Sequence, residues 1–131
     1  MKRTIKQIAV CGLVLLGVWS GTAWGHAFPN RAEPRVGATV VVPPTRVRIW
    51  FDSALEPGFS TLRVQNENGL GMDKGDGHVD SSDPTLLEVS LPPLSPGTYR
   101  VIWSVVARDG HRTEGNYTFT LKRAEGIENG K

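Results

Sequence analysis

The sequence predicts an all-β protein, a small antiparallel β-sandwich or Greek-key β-barrel in a single domain. Three observations carry this. Short segments alternate apolar and polar residues with a period of two. Pro and Gly, 9 and 15 of the 131 residues, punctuate them. Beyond residue 25 no stretch has the 3.6-residue periodicity of an amphipathic helix of useful length.

The segments can be justified in order. In Arg46-Val47-Arg48-Ile49-Trp50-Phe51, Val47, Ile49 and Phe51 share a face, as a half-buried strand requires. Thr61 to Gln65 repeats the pattern with Leu62 and Val64, and Asn66 to Gly71 supplies turn residues. Met72 to Pro84, rich in Asp, Gly and Ser, reads as a long loop. Leu87 to Leu91 alternates again before Pro92-Pro93 ends it. After the turn Ser95-Pro96-Gly97, Tyr99, Val101, Trp103 and Val105 line one face of a long strand, which places Trp103 in the core. Asn116 to Leu121, with Tyr117, Phe119 and Leu121 together, is its expected hairpin partner. The link between the two strands contains Asp109-Gly110-His111, and residues 124–131 read as a frayed polar tail.

The first 25 residues read as a secretory signal. Lys2, Arg3 and Lys6 form a positive start, Ile8 to Val18 is apolar apart from glycine and Cys11, and Ala23 and Gly25 are small residues at the −3 and −1 positions of a cleavage site. The apolar run is well short of the roughly 20 residues that span a bilayer, which disfavours an uncleaved anchor. Cys11 has hydrophobic residues after it, the wrong order for a lipoprotein signal. Residues 26–123 are then the folded domain, with His26 as its first residue.

Removing the leader takes three cations from a chain of 15 basic and 13 acidic residues and leaves it close to neutral. A near-neutral chain lacks the concentrated cationic face that nucleic acid or an anionic membrane demands, so neither is an expected partner. Arg31, Arg35, Arg46 and Arg48 are read as solvated surface. The sole cysteine is Cys11, inside the leader. Packing rather than disulfides must therefore stabilise a protein sent to an oxidising compartment, and 106 residues suffice for one modest core.

Cleavage before His26 gives that residue a free α-amine beside its imidazole. An α-amine has a pKa of about 7.7–8.0, so a metal can displace its proton near neutral pH. Amine and Nδ1 of one histidine close a six-membered chelate ring. Asp109 and His111, read as i and i+2 of an extended stretch, would point the same way and converge on one ion, with Gly110 keeping the backbone adaptable between them. Three nitrogens and a carboxylate oxygen suit Cu(II), which favours a tetragonal N/O set. Read separately, Asp-Gly-His is an ordinary turn with a solvated histidine, and a terminal histidine is an accident of cleavage. Both occur in a chain of three histidines, and that favours the joint reading. His78, in the Asp/Gly-rich loop, is read as an exposed loop residue.

The same residues resemble the CopC copper-resistance proteins of the bacterial periplasm. The resemblance runs from His26-Ala27-Phe28-Pro29 through Val47 to Phe51 and Gly97 to Trp103 to Asp109-Gly110-His111-Arg112-Thr113-Glu114-Gly115. It implies an immunoglobulin-like β-sandwich or barrel of seven strands or a similar number, a periplasmic location, and one Cu(II) per chain held by His26, Asp109 and His111. It further implies a monomer without stable membrane insertion that passes copper to an inner-membrane transporter of the CopD type. Some members carry a methionine-rich Cu(I) site with a histidine. Met72 and His78 are all this chain offers in that stretch, so a Cu(II)-only protein is expected. Some members place a glutamate just after the Phe51 position, where this chain has Asp52. Two other classes compete: an immunoglobulin-like interaction module without metal, and a histidine-brace copper oxidase. Asp109 and His111 filling the equatorial plane, and a chain with little room for a substrate platform, argue against the oxidase, so no enzymatic activity is expected.

Overall fold

A computed structural model describes residues 26–125. The expected leader and the end of the polar tail lie outside the described residues. Eight strands form two four-stranded sheets: β1 (Pro29–Glu33), β2 (Thr39–Val40), β3 (Arg46–Phe51), β4 (Thr61–Gln65), β5 (His78–Val79), β6 (Leu86–Ser90), β7 (Gly97–Val106) and β8 (Arg112–Leu121). The first sheet has the order β1-β3-β6-β5 and the second β2-β8-β7-β4. All pairings are antiparallel except β2 with β8. The all-β sandwich expected from the residue pattern is the fold observed.

The inward faces are those the alternation marks. Val47, Ile49 and Phe51 of β3 and Leu87 and Val89 of β6 meet Leu62 and Val64 of β4, Val101, Trp103 and Val105 of β7, and Phe119 and Leu121 of β8. Trp103 sits in this core, its indole edge-on to Phe51 with ring centroids 5.3 Å apart. The Tyr99 hydroxyl donates to the Ser95 carbonyl at the corner before β7, and the Tyr117 hydroxyl donates to the Pro34 carbonyl at 3.0 Å. Burial raises the Tyr117 phenol well above its ordinary range, so it stays a neutral donor.

Three elements depart from the expected pattern. β1 buries only Ala32, because it is an edge strand whose other side chains face water. The region read as one long loop contains β5, which extends the first sheet beyond β6 through His78 and Val79. The arginines on the outer face are engaged rather than merely solvated: Arg31 lies 4.0 Å from the centre of the Trp50 ring, and Arg46 and Arg48 both reach Glu88. The first of these contacts settles Trp50 as an outer-face residue under a guanidinium.

Gly115 faces Trp103 across the β7–β8 ladder, and the indole covers it so closely that a Cβ there would lie 2.6 Å from Cζ2. Gly115→Ala is therefore expected to lower the free energy of unfolding by about 1–3 kcal/mol. Gly58→Ala, where nothing lies within 4 Å of the added carbon, should stay within about 0.5 kcal/mol. Urea denaturation of the two variants separates them.

Candidate metal centre

The start of the described chain is tied to both sheets. Ala27 is fully buried in the core, and its carbonyl accepts the Thr113 hydroxyl of β8 at 2.6 Å. The next residue turns to the other sheet: the Phe28 amide donates to Asp52 Oδ1 at 2.8 Å, and the Asp52 amide donates back to the Phe28 carbonyl at 2.9 Å. Asp52, whose part was open from sequence, thus acts as an anchor for the strap that leads into β1. His26 is left at the edge of the sandwich with an exposed side chain.

The β7–β8 hairpin brings the other two residues. Asp109 Oδ1 accepts the His111 amide at 3.0 Å, the Gly110 amide donates to the Ala107 carbonyl at 2.8 Å, and the Ala107 amide donates to the His111 carbonyl at 2.9 Å. Gly110 has φ of +90°, a conformation that a side chain would strain. The expectation of an extended Asp-Gly-His is corrected here. Asp109 and His111 come together because the Asp109 carboxylate caps a tight turn, not because strand alternation aims them alike. A second loop buttresses the turn: the Arg108 amide donates to the Ala54 carbonyl at 3.2 Å, and the Glu56 amide to the Val106 carbonyl at 2.8 Å.

Strap and turn meet. The His26 and His111 rings pack edge to face, with centroids 5.2 Å apart. Asp109 Oδ1 lies 3.3 Å from His111 Nδ1. All three residues nominated from sequence therefore gather at one end of the sandwich. They do not close to the mutual spacing of 4.8 Å found for one other set among the described residues. The backbone amide of His111, more than the neighbouring rings, holds the Asp109 carboxyl below the usual aspartate range, so it is an anion at neutral pH.

That other set is His78, Asp80 and Glu88, on the outer face of the first sheet. Sequence reading missed it because Glu88 faces His78 only through the β5–β6 register. A histidine and an aspartate at i and i+2, with a glutamate eight residues further on an alternating segment, was the available signal. Met72 packs against the core, so its thioether and the His78 ring occupy different surroundings.

These observations define a class: a small β-sandwich that gathers two imidazoles and a carboxylate at one end. The CopC domain profile matches residues 30–122, and the chain belongs to the CopC family. Protein YobA of Escherichia coli (strain K12) is 33% identical over 102 residues, covering 77% of this chain and 82% of that protein. CopC from Methylosinus trichosporium OB3b superposes with a TM-score of 0.72 at 29% identity, over 78% of this chain and 99% of that one. PcoC, described as a methionine-rich copper resistance protein from Escherichia coli, gives 0.65 at 27% identity, over 75% and 100%. The present chain has two methionines in all.

Asp52→Ala and Thr113→Val each remove one side-chain tie of the strap. A net cost of about 1 kcal/mol is expected for each. Hydrogen exchange should quicken at the Phe28 amide and its neighbours ahead of the β7–β8 amides. Equal acceleration in both regions would mean that the strap is not a separate unit.

The lowered Asp109 value sets a pH dependence. Its contribution to the turn is complete above the unfolded-state value of about 3.9 and is lost as pH falls through the lower folded value. The His111 amide resonance is expected to report this acid transition, and Asp109→Asn should abolish it.

Proposed function

We propose that the protein is a periplasmic Cu(II) carrier or buffer, exported through cleavage before His26. It would bind one Cu(II) as a monomer and serve copper resistance or homeostasis rather than catalysis. The ion is held by the α-amine and imidazole of His26, by His111 and by the Asp109 carboxylate. The observation that carries this reading is the strap between Asp52 and Thr113, which sets the His26 ring 5.2 Å from that of His111. A terminal residue without such ties would sample many positions, and ordering it on the ion would cost about 1–2 kcal/mol per residue.

The donor set fits the ion. Amine and imidazole form a chelate whose atoms are already tethered, and nitrogen donors in a tetragonal plane are what Cu(II) favours. Asp109 has two parts: one oxygen faces His111 Nδ1 and orients that ring, and the carboxylate supplies negative charge beside a dication. The rings lie at an edge open to water, which suits an ion that is to be passed on. Family resemblance alone suggests a membrane copper transporter of the CopD type as recipient. The exposed Phe28 ring, 6.0 Å from that of His26, offers it an apolar contact.

Titration of the exported protein with Cu(II), followed by paramagnetic resonance, tests the reading. One type-2 signal per chain is expected. Retaining a single residue before His26 turns the amine into an amide, and should weaken binding by more than the roughly 10–100-fold that losing a ligand's hydrogen-bond partner costs. His111→Ala should weaken the same signal, and one hundred dissociation constants of Cu(II) should add about 2.7 kcal/mol to stability. An extension without effect on the spectrum or the affinity would dismiss the terminal site.

A further inference from the structure

We propose that His78, Asp80 and Glu88 form a second metal site, for a borderline divalent ion of the Zn(II) type, on the outer face of the first sheet. Each offers one donor atom, and the three donors lie within 4.8 Å of one another. Donors at about 2.0–2.2 Å from zinc need a closing of only about 1 Å. His78 and Glu88 are directly opposed on β5 and β6, and Asp80, two residues past His78, continues the ladder through its amide to the Leu86 carbonyl at 2.9 Å. The site lies at the far edge of the sheet from β1, more than about 10 Å from the strap that carries His26.

The polarity of the His78 ring points to a cation. Its Nδ1 lies 2.8 Å from the Asp76 carbonyl oxygen, which only accepts, so Nδ1 carries a hydrogen and donates. The opposite nitrogen, Nε2, is aimed at Glu88 Oε1 at 3.2 Å. In the neutral ring that nitrogen is a lone pair facing a carboxylate, two acceptors that repel. A proton relieves this, and so does a metal ion between them. A backbone carbonyl that fixes the tautomer and leaves Nε2 for the ion is the usual support of a ligating histidine.

The surrounding residues hold the carboxylates in place. Arg46 Nη1 and Arg48 Nε approach Glu88 Oε2 at 3.5 and 3.4 Å, which leaves Oε1 turned to His78. Asp80 Oδ2 accepts the Ser82 hydroxyl at 2.7 Å and the Ser82 and Asp83 amides, which leaves its other oxygen for an ion. The Ser82 hydroxyl above all keeps the Asp80 carboxyl below the ordinary range. The preceding segment is itself tied down: Asp76 Oδ1 accepts the Ser90 amide at 2.8 Å and Asp73 Oδ2 the Val64 amide at 2.9 Å. One imidazole and two carboxylates offer fewer oxygens than calcium or magnesium takes, which disfavours those ions. One imidazole and two carboxylates, with a position left for water, suit zinc.

The test uses exported protein with labelled imidazole nitrogens and Zn(II) alone, followed by NMR. In His111→Ala protein and in the parent alike, the His78 Nε2 resonance should move and saturate as Zn(II) is added. His78→Ala, an exposed position that leaves the core untouched, and Glu88→Gln should each lower affinity for that ion by roughly tenfold or more. His111→Ala should leave the His78 response unchanged, so this site can fail while the terminal copper site stands, and the reverse. A His78 resonance that does not move, or Zn(II) uptake equal in the parent and both variants, would overturn the proposal.

Discussion

Two residues of backbone, Ala27 and Phe28, tie together the end of the sandwich that carries His26, Asp109 and His111. They span the two sheets, with Thr113 gripping one carbonyl and Asp52 exchanging two hydrogen bonds with the next residue. Fixing two residues costs about 2–4 kcal/mol of conformational entropy. Three hydrogen bonds return about 0.5–1.5 kcal/mol each, and complete burial of Ala27 adds to them. The balance is narrow, so each of these ties matters to the placement of the strap. The role proposed for His26 follows from that balance, because a side chain is only as well placed as the backbone beside it.

The other half of the site stands on firmer ground. β7 and β8 pair over ten positions, and the turn between them is locked at both ends by its own backbone bonds and from the side by the loop around Ala54 and Glu56. With its lone cysteine in the expected leader, the chain leaves apolar packing between the sheets to carry stability. This end of the sandwich thus joins a hairpin paired over ten positions to a strap held by three hydrogen bonds and the burial of Ala27. His111 sits on the hairpin turn and His26 on the strap, so the two histidines are placed by different elements.

Strands with strict alternation were legible in the sequence because each buries one face: Val47, Ile49 and Phe51, or Tyr99, Val101, Trp103 and Val105, could hardly be read otherwise. β1, β2 and β5 were not, since an edge strand burying only Ala32, and two strands of two residues each, carry no period. His26, Asp109 and His111 were legible as chemistry, yet the reason for their meeting was not. The Asp109 cap on the turn and the Asp52 tie on the strap are hydrogen bonds from side chain to backbone, and neither leaves a trace in hydropathy. The Glu88 cluster was hidden for a third reason. Opposed residues on neighbouring strands are set by register, and the sequence pattern of β5 is too short to state one.

The two clusters differ in a way that orders their use. Cu(II) binds more tightly than Zn(II) at almost any nitrogen and oxygen site, so a zinc-type site in a copper protein survives only if a better copper site takes the copper first. Under the proposed function the terminal site would have that advantage: a tethered amine and imidazole would close a chelate, and the His26 and His111 rings lie 5.2 Å apart. The outer-face cluster has one imidazole and two carboxylates, one of them shared with two arginines. Its weaker field for copper follows from having a single nitrogen. Under the two proposals the strap around Ala27 would bear on both clusters, because by positioning His26 it would also govern which ion is left for His78.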